Sequence, residues 1–364
     1  MTRAVLDSLT QLPDSDGRGF GGHDTIARCR NSLATFFGIG NPKQICFAAS
    51  GTDALNTAII GSLSDGDEVI CTVFDHNSVT RPLCYLKLHR RVVVRQISTM
   101  RDGSINLEQL RESLNANTRA IIITHISNVT GAVTSLEEIA ELIAVRRITL
   151  IIDASQSVGV VPIDLSALPT RTILTAAAHK GLYAPSGTGI LVVPDELVGQ
   201  RLHGGTGIRS ETPHQPTELP HRHEAGTPNH TGIAGLYAGI GFVEAEGVAK
   251  LSAHRSRLVH MTRERLSALD GVELTPLPQN DGRGGIVGFR LRGMTSEEVG
   301  FALESAFSIQ VRTGLHCAPT IHRALGTFPD GLVRVSFGAF NLDEDAESLV
   351  EAVAQINSSK FKGS

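Results

Sequence analysis

Several things this sequence lacks narrow what it can be. No apolar run approaches the ~18 residues that a membrane span needs. The opening residues lack the charged, apolar and small-residue order of a secretory signal, so the cytoplasm is the expected location. Neither sign of charge dominates. Thirty-three Lys and Arg against 37 Asp and Glu leave a formal net charge of -4. That balance offers no electrostatic reason for nucleic acid or a membrane surface as partner. The five cysteines (Cys29, Cys46, Cys71, Cys84 and Cys317) are odd in number and scattered, with no C-x-x-C spacing. This argues against a disulfide framework or a zinc site and for a reducing compartment. His221 and His223 could share a metal, but no third ligand is evident. Catalytic zinc sites take three protein ligands, so no metal is expected. Internal repeats and low-complexity tracts are also absent.

What remains is an ordinary globular composition, 41% hydrophobic and 19% charged over 364 residues. That length suits one large domain and a smaller one. Apolar residues at helical spacing mark 25–37, after a short helical pattern and a Gly-rich stretch. Strands are expected near 68–74, 92–97, 119–124, 148–152, 171–175 and 188–193, with helices near 106–115 and 135–146. Alternation of this kind implies a mostly parallel sheet covered by helices on both faces. Residues 203–231 are rich in Gly, Pro and His and read as a long loop, and 232–270 read as helix with a break near Gly247. From there strand, helix, strand, helix follow, with strands expected at VELTPL, GGIVGFRLR, IQVRTG and LVRVSFG: a smaller α+β unit.

In a parallel sheet the ligand sits beyond the C-terminal strand ends, so the polar residues there carry the functional reading. Four strand ends qualify: Asp75-His76-Asn77, Ser127-Asn128, Asp153 with Gln156, and His179-Lys180. Lys180 follows Ala176, Ala177 and Ala178, small residues that would leave its amine in an apolar pocket. Desolvation lowers a lysine's pKa, which suits Schiff-base chemistry. A lysine that snorkels to solvent fits the same letters. Upstream, the turn Ser50-Gly51-Thr52 opens a helix after a strand, a geometry that aims N–H groups at a phosphate or else is a plain N-cap. Downstream, Cys317 lies in a loop with Arg312 and His316, where a cation would favour the thiolate.

Taken together, SGTDALN, DHNSV, SNVTG, DASQ, AHKG, EAGTPN, RTGLHCAP and VRVSFGAFN resemble, in order, the class V aminotransferase group of pyridoxal-phosphate enzymes of fold type I. Within it they look most like the cysteine desulfurases. The likeness runs from about Arg18 to the C-terminus, and the 27 residues from Asp153 to Lys180 are close to the family spacing. It implies an α/β fold, with a large cofactor-binding domain over 20–240 and a small domain made of 1–19 and 241–364.

The resemblance also implies roles. Lys180 would carry the cofactor covalently and move the substrate Cα proton, and Asp153 would keep the pyridine nitrogen protonated. His76 would stack on the ring and take part in proton transfer. Asn128 and Gln156 would bond the phenolic oxygen. Gly51, Thr52 and His179 would hold the phosphate, and Thr227 would reach the phosphate of a neighbouring subunit, which implies a homodimer. Arg334 would clamp the substrate carboxylate, with Asn128, Arg312, His316 and His23 around the substrate. Cys317 would attack the sulfur of bound L-cysteine, leaving alanine and an enzyme persulfide for a sulfur-acceptor protein. Selenocysteine would be a second substrate. A cysteine or cystine C–S lyase, or an aminotransferase of the same group, is the alternative. Ala177 and Ala178 depart from the family by leaving no hydroxyl before His179, and Asp53 stands where a Glu is common.

Overall fold

Apolar strands separated by amphipathic helices can be buried only as a sheet covered on both faces. The computed structural model, which describes residues 2–10, 20–194, 197–279 and 281–360, has that form. In chain order the elements begin with α1 (Arg3–Thr10), α2 (Phe20–Phe36), β1 (Ile45–Ala48), α3 (Gly51–Ser62), β2 (Glu68–Thr72), α4 (Asn77–His89) and β3 (Val93–Ile97). Next come α5 (Leu107–Ser113), β4 (Thr118–Thr124), α6 (Leu136–Ile143), β5 (Thr149–Asp153), β6 (Thr172–Ala177) and β7 (Gly189–Val192). After a long connection follow α7 (His230–Glu246), α8 (Val248–Ser267), β8 (Val272–Leu274) and β9 (Ile286–Leu291). The chain then forms α9 (Ser296–Phe307), α10 (Pro319–Ala324), β10 (Val333–Ser336) and α11 (Asp343–Lys360).

Seven strands form one sheet in the order β1-β7-β6-β5-β4-β2-β3. Strand β7 runs antiparallel to both of its neighbours, and the remaining pairs are parallel. Alternate side chains feed opposite cores, as a period of two demands. Ile121, Ile123, Leu150, Ile152, Leu174 and Ala176 pack on one face. Ala120, Ile122, Ile151 and Ile173 pack on the other. Parallel register sets Thr124 opposite Asp153, and Asp153 opposite Thr175, so the strand ends form one row.

The helix after DHNSV is not among the expected elements, because Pro82 interrupts its pattern. Structure shows α4 running through Pro82, whose ring is buried with Val79, Leu83 and Leu86. Burial of that face outweighs the single backbone bond that proline cannot make. Helix α2 likewise starts before the expected 25–37 and takes in Gly21 and Gly22.

A second sheet, β10-β9-β8, is antiparallel. Val287, Phe289 and Leu291 from it join Leu258, Val299, Leu303, Leu349 and Val353 in a separate core. The strand expected at 309–314 is reduced to one bridge, Arg312 to Arg334. Gly314 at φ +86°, His316 at +49° and Cys317 at +57° explain this, because left-handed residues turn the chain out of a ladder. Helix α1, grouped by the sequence with the C-terminal unit, lies against α7. Ile233, Leu236, Ile240 and Val243 of α7 belong to the large-sheet core. Among the described residues no helix is long and apolar enough to cross a membrane, and no cluster of three metal-ligating side chains occurs.

Candidate active site

One cavity of about 230 Å3 opens at the C-terminal ends of β4, β5 and β6. Its walls include Gly51, Thr52, His76, Asn128, Asp153, Gln156, His179 and Lys180, which the sequence places on five separate segments. Lys180 follows β6 and is exposed into this concavity, so protein surrounds it even though solvent touches it. Burial lowers its pKa first; the Asp153 carboxylate opposes that shift and Arg334 adds to it. Of the three alanines before it only Ala177 lines the cavity, while Ala176 and Ala178 belong to the core on the opposite face. A strand presents alternate residues to one side, so a pocket of three consecutive alanines is geometrically excluded.

Ser50 caps α3, its hydroxyl accepting from the Asp53 N–H at 3.1 Å. The N–H groups of Gly51 and Thr52 belong to the first turn and have no intrahelical acceptor by position. A Cβ on Gly51 would lie 3.0 Å from Ser155 Oγ and 3.1 Å from the backbone nitrogen of Ala177, so the absent side chain leaves a cradle. The positive end of the α3 dipole adds to the pull on an anion there.

His76 caps α4. Its Nδ1 accepts the Ser78 N–H at 3.0 Å, which leaves the proton of the neutral ring on Nε2. Ser78 Oγ lies 2.9 Å from the same nitrogen and 2.7 Å from Thr52 Oγ1. Burial holds the His76 pKa below its ordinary value; Asp153 opposes, and Lys180, Arg81 and Arg334 reinforce the shift. Asp153 is buried, and its Oδ1 accepts the Ser155 N–H at 2.9 Å. Asn128 donates from Nδ2 to the His316 carbonyl at 2.8 Å, and its buried Oδ1 finds no partner among the described residues. The amide keeps a second N–H for a ligand.

Arg334, on β10, is not on the cavity wall but holds Asn128, which is. Its Nη1 donates to the Asn128 carbonyl at 2.9 Å, its Nε has no partner among the described residues, and burial lowers its pKa. A guanidinium held at one edge with unused donors is ready to take a carboxylate. Cys317 does not line the cavity. It lines an adjoining open groove of about 670 Å3 that shares Thr52, His76 and Ser78 with it.

Three other expected residues stand apart, and the side chain of a fourth is outside the described residues. Arg312 is exposed and pairs with Arg334 through backbone only, N–H to carbonyl at 3.1 and 2.7 Å. The His316 ring faces His322, with centroids 5.8 Å apart, and burial and then the charges of Arg334 and His322 push its pKa to about 3. Thr227 lines a different cavity of about 210 Å3, with His223, Glu224 and Asn229. His23 lies in the first turn of α2, with its side chain outside the described residues.

Sequence reasoning misses two groups. Ser78 stands in DHNSV, two residues after a strand-end histidine, where a hydroxyl reaches back to a cap. Asp75 is visible at a strand end, but nothing in the letters gives it a task. It is fully buried, accepting Thr72 N–H at 2.7 Å and the Thr124 hydroxyl at 2.7 Å, and burial raises its pKa to about 7.

The donor set fits pyridoxal phosphate: an amine near a carboxylate, an imidazole on the cavity wall, and an anion cradle at a helix start. The chain matches known proteins in the same sense. Residues 18–349 match the family model for aminotransferase class-V. A probable cysteine desulfurase 2 of Mycobacterium leprae is 30% identical over 346 residues, covering 91% of this chain and 80% of the relative. A solved cysteine desulfurase from Thermococcus onnurineus NA1 superposes with a TM-score of 0.90 at 25% identity, covering 99% of this chain and 92% of that one. The cystine C–S lyase C-DES, solved with its product cysteine persulfide, shares the fold at a TM-score of 0.83 and 20% identity, covering 97% and 94%.

Proposed function

This chain belongs to the aminotransferase class-V family, and we propose that it is a pyridoxal-phosphate-dependent cysteine desulfurase that converts L-cysteine to L-alanine. The observation that carries the reading is the position of Cys317, on a groove that shares Thr52, His76 and Ser78 with the Lys180 cavity. When bound, pyridoxal phosphate supplies an electron sink for charge developing at the substrate Cα.

The chain's own residues do the rest. Lys180, whose pKa is held down by burial, holds the cofactor and takes or returns the proton at Cα as a neutral amine. Asp153 is the anion that faces a protonated ring nitrogen. Gly51, Thr52 and His179 receive the phosphate, while Asn128 and Gln156 address the ring oxygen. Arg334 binds the substrate carboxylate with the N–H groups that Asn128 leaves free. The Cys317 thiolate attacks the substrate sulfur. A new S–S bond forms as the Cβ–S bond breaks, its electron pair stays with carbon, and a proton there completes alanine. The persulfide on Cys317 then faces the open groove, where a thiol-bearing acceptor can take it.

Thr227, away from its own Lys180 cavity, suits a role toward a second subunit, so a homodimer is part of the proposal, as is a cytoplasmic location. A C–S lyase reading draws on the shared fold with C-DES and on the fact that Cys317 borders the groove rather than the cavity. Product analysis separates them. Incubation with L-cysteine and a thiol should yield alanine and sulfide without pyruvate, and Cys317→Ala should abolish alanine formation. Pyruvate as main product, or full alanine yield from Cys317→Ala, would overturn the desulfurase reading.

A further inference from the structure

We propose that Thr52, Ser78 and His76 form a hydroxyl relay through which an anion seated at the start of α3 sets the protonation of His76. The relay rests on the reading of that helix start as the phosphate cradle, and it assigns Ser78 as a positioning residue for the imidazole.

The argument is a count of hydrogens. Thr52 Oγ1 and Ser78 Oγ are 2.7 Å apart, and Ser78 Oγ is 2.9 Å from His76 Nδ1. Each hydroxyl owns one proton and can donate once. With no anion, Thr52 can donate to Ser78, and Ser78 can donate onward to Nδ1. Nδ1 then receives two donors, the Ser78 hydroxyl and the Ser78 N–H at 3.0 Å, and stays unprotonated.

An anion in the cradle accepts a hydrogen bond from the Thr52 hydroxyl. Thr52 can then only accept from Ser78, whose hydrogen swings away from the ring. Ser78 Oγ now offers a lone pair to Nδ1 in place of a hydrogen, while the Ser78 N–H at 3.0 Å still donates there, so one of the two donors that hold Nδ1 unprotonated is removed. Occupancy by a phosphate thus eases protonation of His76 without reversing the backbone contact. The charges that face the ring from other elements are Asp153 on β5, Lys180 after β6, Arg81 on α4 and Arg334 on β10. Burial first, and then these three cations against one carboxylate, disfavour the charged ring, which is the condition a switch of this sign requires. A mechanism that needs an acid at His76 only after the cofactor's phosphate is in place would gain from such coupling.

The test uses the full chain freed of cofactor, with inorganic phosphate as probe. Histidine Cε1 resonances are titrated with and without phosphate, His76 being assigned from His76→Gln, and the Gly51 and Thr52 amides report whether phosphate is seated. In the wild-type chain the His76 midpoint should rise by about one pH unit, the size expected for one hydrogen bond to a charged group. Ser78→Ala should bind phosphate yet show less than half of that rise, since only the direct pull of the anion remains. Thr52→Ser should keep the full rise, and Thr52→Val should fall to the Ser78→Ala level. Equal rises in wild type and Ser78→Ala, with the amides shifted, would overturn the relay alone. Unshifted Gly51 and Thr52 amides at saturating phosphate would overturn both the relay and the cradle.

Discussion

The backbone N–H of Asn77 donates to the carbonyl oxygen of Cys317 at 2.7 Å, tying the thiol-bearing turn to the first residue of α4. His76, the cap of that helix, is one residue away. The two groups with the most different chemistry in the site, an imidazole and a thiol, are thus held by one short link. The His316 carbonyl, fixed by Asn128 at 2.8 Å, makes a second tether to the same turn.

Asn77→Pro isolates the first tether. Proline is welcome at the first position of a helix, and His76 already has the extended backbone (φ -66°, ψ 158°) that a residue before proline prefers. The helix should therefore survive while the bond to Cys317 is lost. We expect alanine formation from L-cysteine to fall by about fivefold, in line with ~1 kcal/mol for one hydrogen bond, with cofactor content per chain unchanged. Loss of cofactor from Asn77→Pro would count against this division of labour.

Gly51→Ala tests the cradle. The added Cβ would meet Ser155 Oγ at 3.0 Å and Ala177 at 3.1 Å, in the space an anion would approach. Alanine is the better helix former by about 1 kcal/mol, so the cofactor-free chain should not lose much stability. Pyridoxal-phosphate affinity, followed by absorbance on reconstitution, should weaken tenfold or more. Unchanged affinity would place the phosphate elsewhere.

Asp75 gives a pH signature. Its carboxyl is raised from 3.8 to about 7 in the folded chain, with burial as the main cause and the Asp153 charge a smaller one. Below pH 4 the group is protonated in both folded and unfolded chains and costs nothing. Between about 4 and 7 the folded state binds more protons, so stability falls as pH rises, and the cost is complete above 7. At 1.36 kcal/mol per pH unit this approaches ~4 kcal/mol. Asp75→Asn should therefore gain on the wild type from pH 4 to about 7 and level off above it in urea unfolding. A difference between the two that is flat with pH would show that Asp75 does not titrate in this window.

Glu224 illustrates how a motif residue can be structural. In EAGTPN it looks like part of a ligand loop, yet both of its oxygens engage Arg30, at 2.9 and 3.0 Å, and one also accepts the Phe47 N–H at 2.7 Å. It pins the long connection between β7 and α7 to β1. Glu224→Gln should lower unfolding free energy by roughly 3 kcal/mol, because it leaves a mostly buried guanidinium without its counter-ion, the Ile45 carbonyl remaining its acceptor. Denaturant midpoints check this, and a change under 0.5 kcal/mol would show that the loop is held by other means.

Hydrophobic periodicity by itself determined the strand positions. The runs near 119–124, 148–152 and 171–175 fall on β4, β5 and β6 because buried parallel strands carry apolar residues on both faces. The polar residue that ends each such run was bound to stand at one edge, which is why Asn128, Asp153 and Lys180 are legible as partners from their order in the chain. Only the tertiary structure decided what those groups touch. Spacing along the chain says nothing about the turn that carries Cys317 to α4, or about the packing that rotates His316 toward His322 and sends Thr227 to another cavity. Nor could it show that Ser78 bridges Thr52 and His76, since hydrogen bonds between segments depend on distances that the fold alone sets. Local pattern fixes which residues reach an edge, and packing fixes which of them meet.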